Sequence, residues 1–194
     1  MTDNLSRLEK KEQTRRRIID TATEIISAEG INESFIKQVG KAAGVAHGSI
    51  FAHFGSREML ISAVLESYIL KASNFLSSDN SSTPLETAIE SHLRLIGRNE
   101  GLYINLIVRK SLLPEKAKLQ ALQFEMKISS MITHRLKADY PNSDPIIISN
   151  MWIGLIYRYL ENKELYSPNQ EVTTRFGDVL KQFFICQITG GCNE

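Results

Sequence analysis

Residues 30–60 of the chain are GINESFIKQVGKAAGVAHGSIFAHFGSREML, and they contain two short helical patterns that meet at a glycine. The spacing of apolar residues predicts one helix over Phe35–Ala43 and a second from about Ala46 to Ala52. Gly44, between them, permits a sharp turn because glycine readily adopts left-handed backbone angles. Val39, Val45 and Ile50 are expected to form a small core shared by the two helices.

A third helix is predicted ahead of this pair. Ile18, Ala22 and Ile26 recur at helical spacing, and Gly30 follows as a natural stop. Two short helices joined by a tight glycine turn, with a third before them, match the helix-turn-helix plan. An ordinary pair of packed helices can use glycine in the same way, so the spacing alone leaves both interpretations open.

The run GVAHGSIFAHFGSREML, residues 44–60, resembles the signature of the tetracycline-repressor-like (TetR) family. Family members typically show Gly-Val-Ser-x-Gly-Thr-Leu-Tyr-x-His-Phe, then a short turn and Lys-Glu-x-Leu. The preceding VGKAAG, residues 39–44, aligns without a gap. The resemblance covers about the first sixty residues; beyond them only length and helical layout agree. It implies a DNA-binding helix-turn-helix domain over 1–56 and an effector-binding and dimerisation domain over 57–194.

The resemblance also implies DNA-contacting positions on the second and third helices and just after them. They are Lys37, Gln38, His47, Ser49, Phe51, His53 and Arg57. His47 and Ser49 fall on the outer face of the recognition helix, which reaches base edges and phosphates. The small Gly48 between them would let the backbone approach DNA closely.

Three positions depart from the family pattern. Phe51 replaces a tyrosine and lacks a hydroxyl for a phosphate, while Phe35 stands where a threonine often caps, which leaves Ser34 as the candidate cap. Ala46 replaces the serine that caps the recognition helix, and a lost cap costs about 1 kcal/mol. These changes favour an alternative function, an effector-binding helical dimer with weak or lost DNA binding.

The rest of the chain is also predicted to be helical, which makes the fold all-α with about nine helices: the three-helix domain plus a C-terminal helical bundle. Pro84, Pro114, Pro145 and Pro168 mark predicted helix starts, because proline fits the first helical turn. The segment Pro145–Leu160 is apolar nearly all round and should be buried on more than one side.

By resemblance, the final helices pair two copies into a homodimer, and two-fold symmetry suits DNA because one recognition helix reads only a half-site. A larger monomeric core is the alternative. The resemblance also implies a small-molecule effector pocket in the C-terminal domain. Its candidate residues mix aromatic and polar side chains with apolar ones, although each is equally compatible with the core: His92, Tyr103, Phe124, Met131, Trp152 and Tyr159.

Composition narrows the class of protein. The 194 residues are 42% hydrophobic with a formal net charge of +1, as expected of a folded domain. No apolar run approaches the roughly 20 residues of a membrane span, and no signal sequence opens the chain, so we expect a cytoplasmic protein without a membrane partner. Up to Arg17, six basic residues stand against three acidic ones, which suits either a phosphate-attracting arm or a solvated helix start.

No motif of an enzyme is present. The chain lacks a nucleophile motif in Ser-His-Asp order, an H-E-x-x-H sequence and a phosphate-binding glycine loop. His47 and His53 lack metal-ligand spacing, and Cys186 and Cys192 are interpreted as ordinary thiols. We therefore expect no catalytic site, no metal and no cofactor, with an operator in double-stranded DNA, a small-molecule effector and a second copy of the chain as partners.

Overall fold

The computed structural model describes residues 6–77 and 84–189, and it contains helices and turns but no strand in those ranges. Its helices, in chain order, are α1 (Arg7–Glu29), α2 (Phe35–Ala43), α3 (His47–Phe54), α4 (Arg57–Ser77), α5 (Leu85–Gly97), α6 (Glu100–Tyr103), α7 (Glu115–Asp139), α8 (Pro145–Glu161), α9 (Lys163–Tyr166) and α10 (Val172–Thr189). A π-helical turn, Ile104–Val108, continues α6. The all-α prediction is confirmed, and the ten helices of the described ranges, against about nine predicted, include two of only four residues, α6 and α9.

The first three helices enclose the core that the sequence predicts. Ile18 and Ile26 of α1, Val39 of α2 and Ile50 of α3 are fully buried, while Val45 is half-buried. Phe35 is fully buried too. Its ring thus packs in the core, at the position where members of the similar family often have a capping threonine.

Ser34 does not cap α2, so that expectation is wrong. Its hydroxyl donates to Oδ1 of Asn32 at 2.9 Å and makes no bond to the helix. The physical reason is the backbone of Ser34, which is already helical (φ −83°, ψ −1°), whereas a capping residue is extended.

The helix α4 contacts both halves of the chain. It begins at Arg57, one residue after the predicted boundary, and packs against α1 and α3 on one side and against α5 and α7 on the other. Residues 57–76 are long and apolar enough to cross a membrane by length and composition, with a mean hydropathy of 1.2. The packing on four other helices is that of a core helix in a folded domain.

The C-terminal helices α5, α7, α8 and α10 pack on one another around Phe124, Trp152, Ile156, Leu160 and Phe184, which are all buried. Within this single chain, the prediction that α8 is buried on more than one side is only partly met. Ile146, Ile147 and Met151 on its outer face are 64%, 59% and 55% exposed.

Three of the four helix starts predicted at prolines are confirmed, and the one predicted at Pro168 is wrong. The helices α5, α7 and α8 begin at or one residue after Pro84, Pro114 and Pro145. The last helix begins at Val172, four residues after Pro168. Cys186 is disulfide-bonded, so its interpretation as an ordinary thiol is wrong, and Cys192 lies outside the described residues.

Candidate functional site

A glycine turn fixes the angle between α2 and α3. Gly44 has left-handed backbone angles (φ 63°, ψ 39°) and ends α2, as predicted. Gly40, one turn earlier, lies against the chain as it leaves the turn, because a Cβ there would stand 3.2 Å from the carbonyl oxygen of Val45. The amide of Val45 donates to the carbonyl of Gly40 at 3.0 Å. The turn is therefore held by backbone contacts that larger residues would disturb.

One edge of α3 faces away from the rest of the chain. His47 and Gly48 are exposed and Ser49 is half-buried, whereas Ile50 and Phe54 anchor the opposite face. A Cβ at Gly48 would meet no atom within 4 Å, so the fold itself has no need of glycine there. The α3 edge, residues 47–49, is thus open surface on a rigidly held helix.

The other predicted DNA-contacting residues differ in their exposure and in the hydrogen bonds they make within the chain. Lys37 is exposed on α2. Gln38 is partly engaged with its own chain, since its Nε2 donates to Glu29 at 2.6 Å. A guanidinium nitrogen of Arg57 donates to the carbonyl of Asn32 at 2.8 Å, which ties the start of α4 to the turn between α1 and α2.

The rings of α3 support one another. Phe51 is half-buried and meets the His47 ring edge-on, with 5.0 Å between centroids. His53 is half-buried against Phe54, and its Nδ1 is buried with no hydrogen-bond partner among the residues described. Sequence reasoning missed Arg15, whose guanidinium lies 4.9 Å from the centroid of the Phe54 ring and joins α1 to the end of α3.

Three of the predicted effector residues meet in the core. The indole Nε1 of Trp152 donates to Nδ1 of His92 at 3.0 Å, so the ring proton of His92 is on Nε2, which lies 2.8 Å from the Tyr103 hydroxyl. All three side chains are fully buried. Burial lowers the pKa of His92 to about 3, so the imidazole is neutral at pH 7.

The other three predicted effector residues lie apart from this cluster. Phe124 is buried edge-on against Tyr68, and Tyr159 packs between Tyr166 and Phe176. Met131 is half-buried in an open groove between α4 and α7. The six residues predicted to line one effector pocket therefore lie in at least three separate places in the structure.

A short segment around α6 connects α1 to the last helix. Asn99 accepts hydrogen bonds from the Ser27 hydroxyl and from the amide of Leu102, while Asn105 donates to the carbonyl of Ile26 at 2.7 Å. At Gly101 the two backbones touch, because a Cβ there would stand 2.3 Å from the carbonyl oxygen of Ser27. Residues 99–105 are thus fastened to the end of α1.

The same segment caps α10. The Glu100 carboxylate accepts hydrogen bonds from the amides of Val172 and Thr173, both at 3.0 Å, and pairs with Lys163 at 3.1 Å. Burial raises the pKa of Glu100, but the hydrogen bonds from Glu171, the two amides and Lys163 together outweigh burial and lower it. An ionised Glu100 therefore accepts from the free amides at the start of α10. The sequence instead predicted that this helix would begin at Pro168.

Comparison with known proteins agrees with this geometry. The family model described as "Bacterial regulatory proteins, tetR family" matches residues 18–64, which include α2, α3 and the start of α4. The HTH-type transcriptional repressor Rv3405c of Mycobacterium tuberculosis is 28% identical over 88 residues, 45% of this chain and 47% of that protein. The HTH-type transcriptional regulator SrpR of Pseudomonas putida is 39% identical over 56 residues, 29% of this chain and 26% of that protein.

The matched sequence spans about half the length of the first of these relatives and about a quarter of the second. The fold extends further. The crystal structure of a transcriptional regulator from Rhodococcus sp. Rha1 superimposes with a TM-score of 0.74 over 91% of this chain and 96% of that one, at 16% identity, which is a likeness of fold alone. Residues 18–64 therefore match the tetR family of bacterial regulatory proteins, and the rest of the chain shares a helical layout with solved structures as a likeness of fold.

Proposed function

We propose that the chain is a cytoplasmic, homodimeric transcriptional regulator that binds an operator in double-stranded DNA as a repressor and is controlled by a small-molecule effector. The observation that carries the proposal is the open α3 edge. Glycine inside a helix costs up to about 1 kcal/mol relative to alanine, and Gly48 has no packing neighbour that would require it. Close approach of a partner such as the sugar-phosphate backbone is the use that an open glycine would serve.

The remaining DNA-contacting positions take two roles in this proposal. Lys37 and His47 are exposed and are proposed to meet phosphates and base edges directly with Ser49. Gln38 and Arg57 brace α2 and α4 through their bonds to Glu29 and Asn32, and they present their remaining donors to the DNA backbone.

The proposed dimer interface lies on α8 and α10. Five large apolar side chains on these two helices are more than half exposed in the single chain: Ile146, Ile147, Met151, Val179 and Phe183. Because α8 and α10 pack on each other, these exposed side chains lie on adjoining helices, and apolar surface of this kind often marks a protein–protein interface. Pairing it with a second copy would complete the burial that the apolar character of α8 predicts.

Effector control would act through the segment 99–105 and through α4. The segment touches α1 at Ser27 and α10 at Val172, while α4 packs on α3 and on the C-terminal helices. Movement of these elements would change the separation of two recognition helices, and a dimer that no longer matches successive major grooves loses one half-site.

A second candidate function is a ligand-binding dimer with weak or lost DNA binding. It is favoured by the recognition helix start, where Ala46 provides no side-chain hydrogen bond, and by Phe51, which offers no hydroxyl to a phosphate.

Fluorescence anisotropy with labelled DNA from upstream of the gene separates the two functions. The proposed regulator shifts the anisotropy in a sequence-dependent way, and Ser49→Glu abolishes the shift because it places a carboxylate against phosphates. Ser130→Glu, the same substitution at an exposed site on α7, is the matched control and leaves binding intact. Failure of the unmodified protein to prefer its upstream DNA over unrelated DNA would favour the second function.

A further inference from the structure

A cavity of about 270 Å³ lies where the DNA-binding half meets the C-terminal helices. It is bounded by α1, by α4 and by the chain from Leu95 to Leu102. Its apolar wall comprises Ala72, Phe75, Leu95 and Leu102. At about 30 Å³ per water molecule, the cavity has room for on the order of nine waters, and it is just smaller than the roughly 300 Å³ at which typical small-molecule sites begin, which favours a small ligand.

The charged groups of this cavity all have one sign. Lys71 and Arg98 line it, and no acidic residue is among its lining residues. Among the ion pairs of the described chain, none involves either cation. The Arg98 guanidinium instead lies 4.8 Å from the centroid of the Phe75 ring. A ring face attracts a cation but leaves its hydrogen-bond donors available to an anion.

The neighbouring cavity provides a contrast. It measures about 630 Å³, lies between α5 and α10, and shares Phe75 and Arg98 with the smaller one. Its lining includes Glu90 and Asp178, which offset its cations. An anion would therefore be favoured in the smaller cavity, with the Arg98–Phe75 pair in the wall common to both.

We infer that the smaller cavity binds an amphipathic monocarboxylate, with its carboxylate between Lys71 and Arg98 and its apolar body against Phe75 and Leu102. This site differs from His92, Tyr103 and Trp152, three of the six effector residues that the resemblance implies, because those side chains bond to one another in the core.

The position of the cavity places such a ligand in direct contact with α1, the first helix of the proposed DNA-binding domain. Thr23 of α1 lines it, one helical turn before Ser27, and so does Asn99, which accepts the hydrogen bond from the Ser27 hydroxyl. A ligand seated there contacts both sides of the junction between α1 and α6. The regulatory meaning of this site rests on the proposed function; its ligand chemistry does not.

Calorimetric titration of the full-length protein, without DNA, tests the inference. The probes are phenylacetate and octanoate, each compared with its uncharged amide. We expect saturable binding of at least one carboxylate at one molecule per chain, and affinity at least tenfold lower for the matching amide. Lys71→Gln and Arg98→Gln should each weaken carboxylate binding by about tenfold, whereas Lys137→Gln, at an exposed lysine on α7, should not.

Three results would overturn the inference: no saturable binding of either carboxylate at millimolar concentration, equal affinity for acid and amide, or equal losses in Lys137→Gln and the two cavity variants. Both cavity cations are exposed, so the variants are expected to fold, and far-ultraviolet circular dichroism checks this. Operator anisotropy on the same samples keeps the two proposals separate. DNA binding without carboxylate binding refutes the ligand site alone, and carboxylate binding without DNA binding refutes the regulator alone.

Discussion

Replacing Gly101 with alanine tests whether the contact between α1 and α6 fixes the position of the three N-terminal helices. A Cβ at this position would stand 2.3 Å from the carbonyl oxygen of Ser27, well inside the 3.0 Å below which real Cβ atoms essentially never come. The two segments would have to separate by at least the difference, 0.7 Å. The obstacle is backbone, so no side chain can rotate away to relieve it.

The expected cost is that of forcing an extra methyl group into a packed interior, about 1–3 kcal/mol in the free energy of unfolding. The separation also stretches the neighbouring hydrogen bonds, from Ser27 to Asn99 and from Asn105 to Ile26. Because α1 packs on α2 and α4, its displacement should move α3 as well. We expect operator affinity to fall by an amount equivalent to one lost base contact, about 1–3 kcal/mol, which is roughly fivefold to 150-fold.

Urea denaturation at a fixed protein concentration measures the first effect, with the single tryptophan, Trp152, as the fluorescent reporter. Gly48→Ala is the matched control, since its new Cβ meets nothing within 4 Å. That variant should be as stable as the unmodified protein or more stable by up to about 1 kcal/mol, yet bind the operator more weakly. If Gly101→Ala were as stable as the unmodified protein within about 0.5 kcal/mol, the tight α1–α6 contact would be refuted.

Three further predictions concern the core, the cap of α10 and the dimer. The pKa of His92 is lowered from 6.5 to about 3 in the folded protein, so its contribution to stability is present above pH 6.5 and is lost as pH falls toward 3. Between pH 6 and pH 5, the free energy of unfolding should therefore fall by about 1.2 kcal/mol more in the unmodified protein than in His92→Gln, as measured by urea titration. Equal losses would contradict a buried neutral imidazole. Glu100→Gln keeps one acceptor oxygen but faces the other of the two α10 amides with an NH2 donor and removes the charge. Thermal and urea unfolding should therefore show a loss of about 1.5–3 kcal/mol, and a neutral result would refute the cap. Phe183→Lys should give a monomer in analytical ultracentrifugation, because it places a charge in the proposed α8–α10 interface. The control Leu119→Lys, at a similarly exposed position on α7, should leave the dimer intact. Dimers of both variants would refute the α8–α10 interface.

The features that the sequence predicts correctly are those set by neighbouring residues. The helix Phe35–Ala43 ends where predicted because Gly44 supplies the left-handed angles of the turn. The helix α8 begins at Pro145 because Asp144 accepts from the amides of Ile146 and Ile147 at 3.0 and 3.1 Å. Such signals depend on two or three consecutive residues and are visible without the fold.

The features that sequence reasoning missed depend on residues far apart in the chain. Glu100 caps α10 across 72 residues, so Pro168 is not needed at the helix start. Trp152 bonds to His92 across 60 residues, and that bond turns two candidate pocket residues into mutual core partners. Nothing in the local pattern around either residue distinguishes a pocket wall from a satisfied core side chain, because the partner is chosen by helix packing.

Hydroxyl-radical footprinting on the upstream DNA measures most directly whether two α3 edges read two half-sites of one operator, as proposed. We predict two protected patches whose centres are separated by about 34–36 Å or a multiple of it, the distance between successive major grooves on one side of the duplex. Both patches should disappear together in Ser49→Glu and persist in Ser130→Glu. A single patch, or protection that survives Ser49→Glu, would contradict the assignment of the α3 edge as the DNA-reading surface.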